Sequence, residues 1–342
     1  MASMTSLTLE EIGRLAGVSR STVSRVINNQ ENVRPEVRDR VLRVIQETGY
    51  RPHAAARSLA AQRTNVVGLA VPRSAQSFFA DPYYPRLIQG MTQACNAHHL
   101  ALSLFMCHSE KEEEDLYPRV LSRGLIDGLI IASSVKNDPL IPLLLESQMP
   151  FVLVGRPLSQ APINYVDVDN VVGVQNAVRH LIRLGRRRIG HIMGPQNSAV
   201  GLDRRQGYIN AHVERGLTVD ESLIVPGDFS EMAGYQAAQH LLAAGADAIV
   251  AVSDKTAYGA LRALREAGRA VPEDVAVVGF DDLEASALTE PPLTTVRQPI
   301  RATGVVAVET LLDVMENPGG PPRQVILPTQ LIVRESCGAR FP

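Results

Sequence analysis

No stretch of the 342 residues approaches the roughly 20 uninterrupted apolar residues that a bilayer-spanning helix requires. The first nine residues also lack the basic-then-apolar order of an export signal, so the chain is expected to stay in the cytoplasm. Cysteine is scarce. Cys95, Cys107 and Cys337 form an odd set with no CxxC and no histidines at zinc spacing, which argues for buried or incidental thiols and against a metal centre. Cys107 and His108 do not make a nucleophile and base, because neighbours on a strand point to opposite faces. No Walker loop, GxGxxG, HExxH or GxSxG is present. Nucleotide-dependent catalysis and the commonest hydrolase chemistries therefore have no support, no cofactor is expected, and binding is favoured over catalysis.

Lysine is missing from the first 63 residues, which carry ten arginines against six carboxylates, a formal charge of +4. The remaining 279 residues carry 24 basic and 30 acidic side chains, so a nearly neutral chain of net −2 is a basic segment joined to an acidic one. Such asymmetry points to a polyanion partner at the basic end. The length, with 45% hydrophobic and 20% charged residues, predicts two or three globular domains.

The basic segment reads as three short helices. Thr8 and Glu11 have capping-box spacing, Ile12, Leu15 and Ala16 give the first helix an apolar face, and Gly17 supplies the positive φ that ends it. Ser19 can cap a second helix, in which Val23, Val26 and Ile27 pack inward and Arg20, Ser21, Ser24 and Arg25 face outward. Pro35 opens a third, with Val37, Val41, Val44 and Ile45 inward and Gly49 at its end. The short turn at Gly17 is of helix-turn-helix type and would present Arg20, Ser21 and Arg25 to a major groove. Arginine can pair with both acceptors of a guanine edge, while Ser19, Thr22, Asn28 and Asn29 suit phosphate oxygens. The alternative is a solvated bundle whose arginines serve solubility alone. Residues 51–63, alanine-rich after Pro52, read as a helix too short to stand by itself in water and so conditional on a partner, the alternative being a plain linker. Its one large apolar side chain, Leu59, could pack on another copy or wedge into a minor groove.

From residue 66 onward, apolar runs at 66–71, 100–106, 128–132, 151–154, 188–193, 248–252 and 275–280 alternate with amphipathic stretches such as 172–184 and 235–243. That alternation predicts parallel sheets covered by helices, and the number of strands predicts two α/β subdomains with a cleft between them. Ligands of such sheets sit outside the carboxyl ends of the strands, which directs attention to Ser133, Arg156, Asp169, Ser253, Asp254, Asp281 and Asp282.

Several runs together resemble the LacI/GalR family of transcription regulators, over essentially the whole chain. LEEIGRLAGVSRSTVSRVINN at 9–29 resembles the family's helix-turn-helix, and GYRPHAAARSL at 49–59 its hinge helix. HLIRLG at 180–185, RIGHIMGP at 188–195, VGFDD at 278–282, PLTTV at 292–296 and LPTQLIVRES at 327–336 resemble its core. The resemblance implies a small all-α helix-turn-helix domain plus an α/β core of two Rossmann-like subdomains, periplasmic-binding-protein-like of type I. It places a headpiece at 1–52, a hinge at 53–63 and an effector and dimerisation core at 64–342. Within that core the N-subdomain is about 64–166 plus 297–324 and the C-subdomain about 167–294 plus 325–342.

The resemblance further implies a homodimer on pseudo-palindromic double-stranded operator DNA, with Leu59 of each hinge in the minor groove and Ala56 in hinge contact. It assigns base reading to Arg20, Ser21 and Arg25, and an effector clamp to Arg204. Asp281 becomes an acceptor at its strand end, Phe229 a stacking aromatic, and Tyr83 and Tyr84 the mouth of the cleft, with Arg156, Asp169, Ser253 and Gln298 also at effector positions. Four features depart from the pattern: His53 replaces an asparagine, Arg34 replaces a small hydroxyl cap, Ser253-Asp254 replaces Asn-Asp, and no heptads follow Cys337, so no lac-repressor-like tetramer is expected.

Hydroxyl-rich ligands want Asp and Arg partners and a flat apolar face, and these positions offer both. The stretch 77–85, with Tyr83 and Tyr84, resembles the lengthened loop of members that answer to di- or oligosaccharides. The effector expected is such a sugar, relieving repression of carbohydrate uptake and utilisation genes. A purine-responsive corepressor type, or a sugar-binding protein without DNA function, remains the alternative.

Overall fold

The computed structural model describes residues 7–27, 30, 32–50, 63–74, 80–107, 110–122, 124–132, 136, 138–159 and 161–339. Two compact units divide at Thr64 and Asn65. The first holds α1 (Leu9–Ala16), α2 (Arg20–Ile27) and α3 (Pro35–Thr48). The capping box forms as its spacing predicts: Glu11 N donates to Thr8 Oγ1 at 3.3 Å, and Thr8 N donates to the Glu11 carboxylate at 2.7 Å. Gly17 sits at φ 63°, and Val18 N closes the turn onto Gly13 O at 2.9 Å. The core is Ile12, Ala16, Val23, Val26, Val41 and Tyr50. Leu15 is a correction: it is 53% exposed, because Gly13 and Ala16, not Leu15, face the crossing of α1 with its neighbours. Arg34 makes no side-chain cap at the start of α3.

The second unit holds two six-stranded sheets. The first joins β1 (Val66–Ser74), β2 (Ala101–Cys107), β3 (Gly128–Ile131), β4 (Phe151–Val154), β5 (Tyr165–Val168) and β11 (Gln324–Leu327), in the order β11-β5-β4-β3-β1-β2. The second joins β6 (Ile189–Ile192), β7 (Ile224–Val225), β8 (Ala248–Ala251), β9 (Ala276–Asp281), β10 (Thr294–Arg297) and β12 (Gln330–Ile332), in the order β12-β10-β9-β8-β6-β7. Every ladder is parallel except β10 with β12. The central strands are buried along their length, as the apolar runs require of sheets covered on both faces.

The chain passes between the sheets after Val168, Arg297 and Leu327. The subdomain boundaries expected at 166/167 and 324/325 move outward, because β5 and β11 pair through to Val168 and Leu327. Helices cover the sheets: α4 (Tyr83–Ala97), α5 (Glu110–Val120), α6 (Leu140–Ser147) and α11 (Ile300–Glu316) on the first, α7 (Asn170–Arg183), α8 (Ala199–Glu214), α9 (Glu231–Ala243) and α10 (Asp254–Glu266) on the second. Helices α4 and α11 cross backbone to backbone. A Cβ on Gly90 would lie 1.9 Å from Arg301 O, and one on Gly304 2.2 Å from Leu87 O, so glycine is obligatory at both. All three cysteines are buried free thiols. Among the described residues no helix is long and apolar enough to cross a membrane.

His191 on β6 is fully buried against the Tyr208 ring, 5.2 Å away. Its Nδ1 donates to Val250 O at 3.0 Å, and Nε2 has no hydrogen-bond partner. Burial pulls its pKa down to about 4. The folded state thus resists a proton that the unfolded chain accepts below its ordinary value near 6.5. Stability should be full above that value and fall as pH drops from 6.5 toward 4. Urea midpoints measured across this window should fall less steeply in His191→Gln than in the native sequence, and equal slopes would contradict the assignment.

Candidate functional site

The carboxyl ends of the two sheets face each other across a cleft lined by Asp81, Tyr83, Tyr84, Asp167, Asn170, Ser198, Arg204, Phe229, Ser253, Asp281, Gln298 and Thr303, with Ala132, Val154, Gly155, Val166, Val168 and Val200 supplying apolar wall. Seven of the nine residues expected at effector positions are brought together here: Tyr83, Tyr84, Arg204, Phe229, Ser253, Asp281 and Gln298.

Arg204 sits at the centre, only 3% exposed. Its guanidinium stacks 3.5 Å from the Phe280 ring centre, Nε donates to Asn170 Oδ1 at 2.9 Å, and Nη1 donates to Val252 O. Asp281 Oδ1 lies 3.9 Å from Nη1. Burial of the Asp281 carboxyl raises its pKa well above the ordinary range, and the Arg204 charge opposes that rise. Asp167 is likewise pushed up by burial, although Arg156 N and Val168 N donate to it at 2.8 and 2.7 Å. Burial also raises the pKa of the Tyr83 phenol, which stays neutral.

The end of β9 has the unusual geometry that aims Asp281 into the cleft. Asp281 and Asp282 have φ of 125° and 56°, a left-handed pair that costs free energy unless its surroundings hold it. Asp254, fully buried at the start of α10, holds it. Its carboxylate accepts from Leu283 N at 2.8 Å, Ser286 Oγ at 2.6 Å and Thr295 Oγ1 at 2.5 Å, while burial pushes its pKa up to about 6. Gln298 Nε2 donates to Asp281 at 2.5 Å. Asp282 turns away from the cleft: burial would raise its pKa, but Arg334 and Arg297, each at 2.6 Å, hold it below the ordinary value. Ser253 caps α10, accepting from Thr256 N at 3.2 Å.

Two expected positions lie outside this lining. Arg156 does not line the cleft. Its Nε and Nη2 clamp Asp203 at 2.6 and 2.5 Å, because a buried-edge guanidinium finds a bidentate carboxylate on α8 before it reaches the interior. Asp169 does not line it either, since the strand ends at Val168 and Asp169 caps α7, accepting from Val172 N at 3.0 Å. Asp167, two residues earlier, takes the place in the cleft. The signal for Asp167 was available: a carboxylate inside an apolar strand needs a buried partner. Asp81, Asn170, Ser198 and Thr303 carried no such signal. Lys255 Nζ donates to Ala80 O at 2.8 Å, and this contact, Arg156–Asp203 and Arg86–Glu284 are among the polar contacts that tie the halves of the core together.

In the first unit, Arg20, Ser21 and Arg25 are exposed on one side of α2, as expected, and Val23 and Val26 on the other are buried. Ser19 Oγ accepts from Thr22 N at 3.2 Å and bonds the Ser21 hydroxyl at 2.8 Å. Arg20 lies 3.7 Å from Glu10, an exposed pair that contributes little to stability. Asn28, His53, Ala56 and Leu59 lie outside the described residues.

Comparison with known proteins gives a consistent set of relatives. The bacterial regulatory proteins of the lacI family match residues 8–53, and a periplasmic binding protein-like domain matches residues 178–337. The HTH-type transcriptional regulator CelR of Thermobifida fusca is 41% identical over 96% of this chain and 98% of its own length. A solved CelR–cellobiose complex matches at 40% identity with a TM-score of 0.77, covering 96% of this chain and 99% of that one. The lac repressor dimer bound to operator and an anti-inducer matches at 27% identity with a TM-score of 0.86, covering 97% and 99%.

Proposed function

The chain belongs to the lacI family of bacterial regulatory proteins, and from that membership we propose that it is a homodimeric repressor released from operator DNA by a di- or oligosaccharide of the cellobiose type. One observation carries the choice of ligand. The cleft sets three carboxylates, on Asp81, Asp167 and Asp281, around the single guanidinium of Arg204, with Phe229, Tyr83 and Tyr84 as flat surfaces. Burial disfavours the charged forms of Asp167 and Asp281, so the cleft offers hydrogen-bonding carboxyls around one already engaged guanidinium, which suits a neutral, hydroxyl-rich ligand whose ring faces stack on aromatics. The likeness to a regulator solved with cellobiose supports the same reading. The protein binds and releases its sugar unchanged, and works in the cytoplasm, where its DNA is.

The headpiece is proposed to bind each half of a pseudo-palindromic operator through Arg20, Ser21 and Arg25, with Ser19, Thr22 and Asn28 on phosphates and Ala56 and Leu59 at the hinge. Sugar binding disfavours paired hinges, and a coupling of about 1–3 kcal/mol changes operator affinity roughly 5- to 150-fold. Titrating the full chain by calorimetry with cellobiose, longer glucans, monosaccharides and hypoxanthine tests the ligand. Cellobiose should bind and should also lower operator affinity in fluorescence anisotropy. Hypoxanthine binding without any saccharide binding would sink the proposal.

Arg25→Ala should cost roughly 1–3 kcal/mol of operator affinity and relax base preference at its contact position. Anisotropy against operators mutated base by base checks this, and a uniform loss across all of them would reassign Arg25 to phosphate.

A further inference from the structure

Behind the strand ends that form the cleft lies a second, open groove that the proposed function does not use. One wall is α4, with Arg86, Gln89 and Gln93, and the other is the start of α11, with Arg301. Asp282, Arg297 and Arg334 line it as well. The glycine crossing at Gly90 and Gly304 brings the two helices close enough for their polar edges to share this groove.

The charges do not balance locally. Four guanidiniums meet two carboxylates, Asp282 and Glu284. Asp282 is held by Arg297 and Arg334 together. Glu284, almost fully exposed, takes Arg86 at 3.1 Å. Arg301 donates to a neutral partner, Gln93 Oε1, at 3.1 and 2.7 Å. Helix α11 begins in the same groove at Pro299 with no side-chain cap, so the positive end of a 17-residue helix adds to the field. Arginine forks and helix amides are the groups that bind phosphoryl oxygens.

We propose that this groove is a second ligand site, for a phosphorylated metabolite, and that it regulates the sugar cleft. The link is covalent and short. Asp282 in the groove follows Asp281 in the cleft, and Arg297 precedes Gln298, which lines both and donates to Asp281. An oxyanion that draws Arg297 and Arg334 toward itself loosens their hold on Asp282, and with it the left-handed turn that aims Asp281. The regulatory part rests on the sugar reading of the cleft, whereas the anion site does not.

Pyrophosphate is the probe, titrated by calorimetry into the full chain, into Arg301→Gln, into the double variant Arg86→Gln/Arg301→Gln, and into Arg265→Gln as a control on exposed charge. The expected result is saturable binding at sub-millimolar concentration, at least tenfold weaker in Arg301→Gln, weaker again in the double variant and unaltered in Arg265→Gln. Folding of each variant is checked by its circular dichroism melt. No binding below 10 mM, or binding equally affected by all the substitutions, overturns the site. Cellobiose affinity measured with and without saturating pyrophosphate should differ at least threefold in the native sequence and not in the double variant. Equal affinities overturn the regulation, and absence of cellobiose binding in both conditions counts against the sugar reading alone, since pyrophosphate binding is read directly.

Discussion

Replacing Arg204 by leucine is expected to abolish measurable cellobiose binding and to destabilise the core by about 3–5 kcal/mol. Among the described residues that line the cleft, the guanidinium is the one positive charge, beside Asp81, Asp167 and Asp281. Asp167 and Asp281 are 7% and 6% exposed, so without Arg204 each is a buried carboxyl whose nearest compensating charge is gone. Burial pulls the Arg204 pKa down and the neighbouring carboxylates, Asp281 first, pull it back up, which keeps the group ionised. Lysine should not rescue. A point ammonium cannot stack on Phe280 while donating to both Asn170 and Val252, as the planar fork does. Calorimetry with cellobiose and urea denaturation of Arg204→Leu and Arg204→Lys check the two effects separately. Cellobiose affinity within threefold of the native value in Arg204→Lys would remove Arg204 from the ligand and leave it a structural role.

Asp254→Ala should cost about 3 kcal/mol of stability and at least tenfold in cellobiose affinity, although Asp254 does not line the cleft. Its carboxylate gathers three donors, from Leu283, Ser286 and Thr295, and two of them can rotate to other partners. The Leu283 amide cannot, and stranding a buried N–H carries the larger share of the loss. Relief of the burial that lifts the Asp254 pKa to about 6 limits the total. The effect on affinity follows from the turn: Leu283 anchors the left-handed pair Asp281–Asp282, and a relaxed turn no longer presents Asp281. Unchanged cellobiose affinity in a variant with a lowered urea midpoint would show that Gln298 and Arg204 suffice to hold Asp281.

The headpiece was legible residue by residue because its determinants are local. The Thr8–Glu11 box, the positive φ at Gly17 and the spacing of Val23 and Val26 each act within one or two turns of chain. Leu15 misled because periodicity alone cannot tell which edge of an apolar stripe a small residue such as Gly13 leaves open to a neighbour. In the core, the strands with continuous apolar runs were readable, whereas β5, interrupted by Asp167, and β7, two residues long, were not. The functional carboxylates divided the same way. Asp281 stood out at the end of a strand in a recognisable motif, but Asp167 and Asp169 lie two residues apart on one segment, and the sequence pointed to Asp169 where Asp167 lines the cleft.

The sequence by itself determined that a basic helical headpiece precedes an acidic α/β core, since charge and hydrophobic period are properties of consecutive residues. Only the tertiary structure decided which charges meet. Arg156 takes Asp203, 47 residues on, Arg204 takes Asp281, and Asp282 turns its back on the cleft to hold Arg297 and Arg334. A carboxylate's partner is set by which segments exclude water together, and that depends on how distant strands and helices pack.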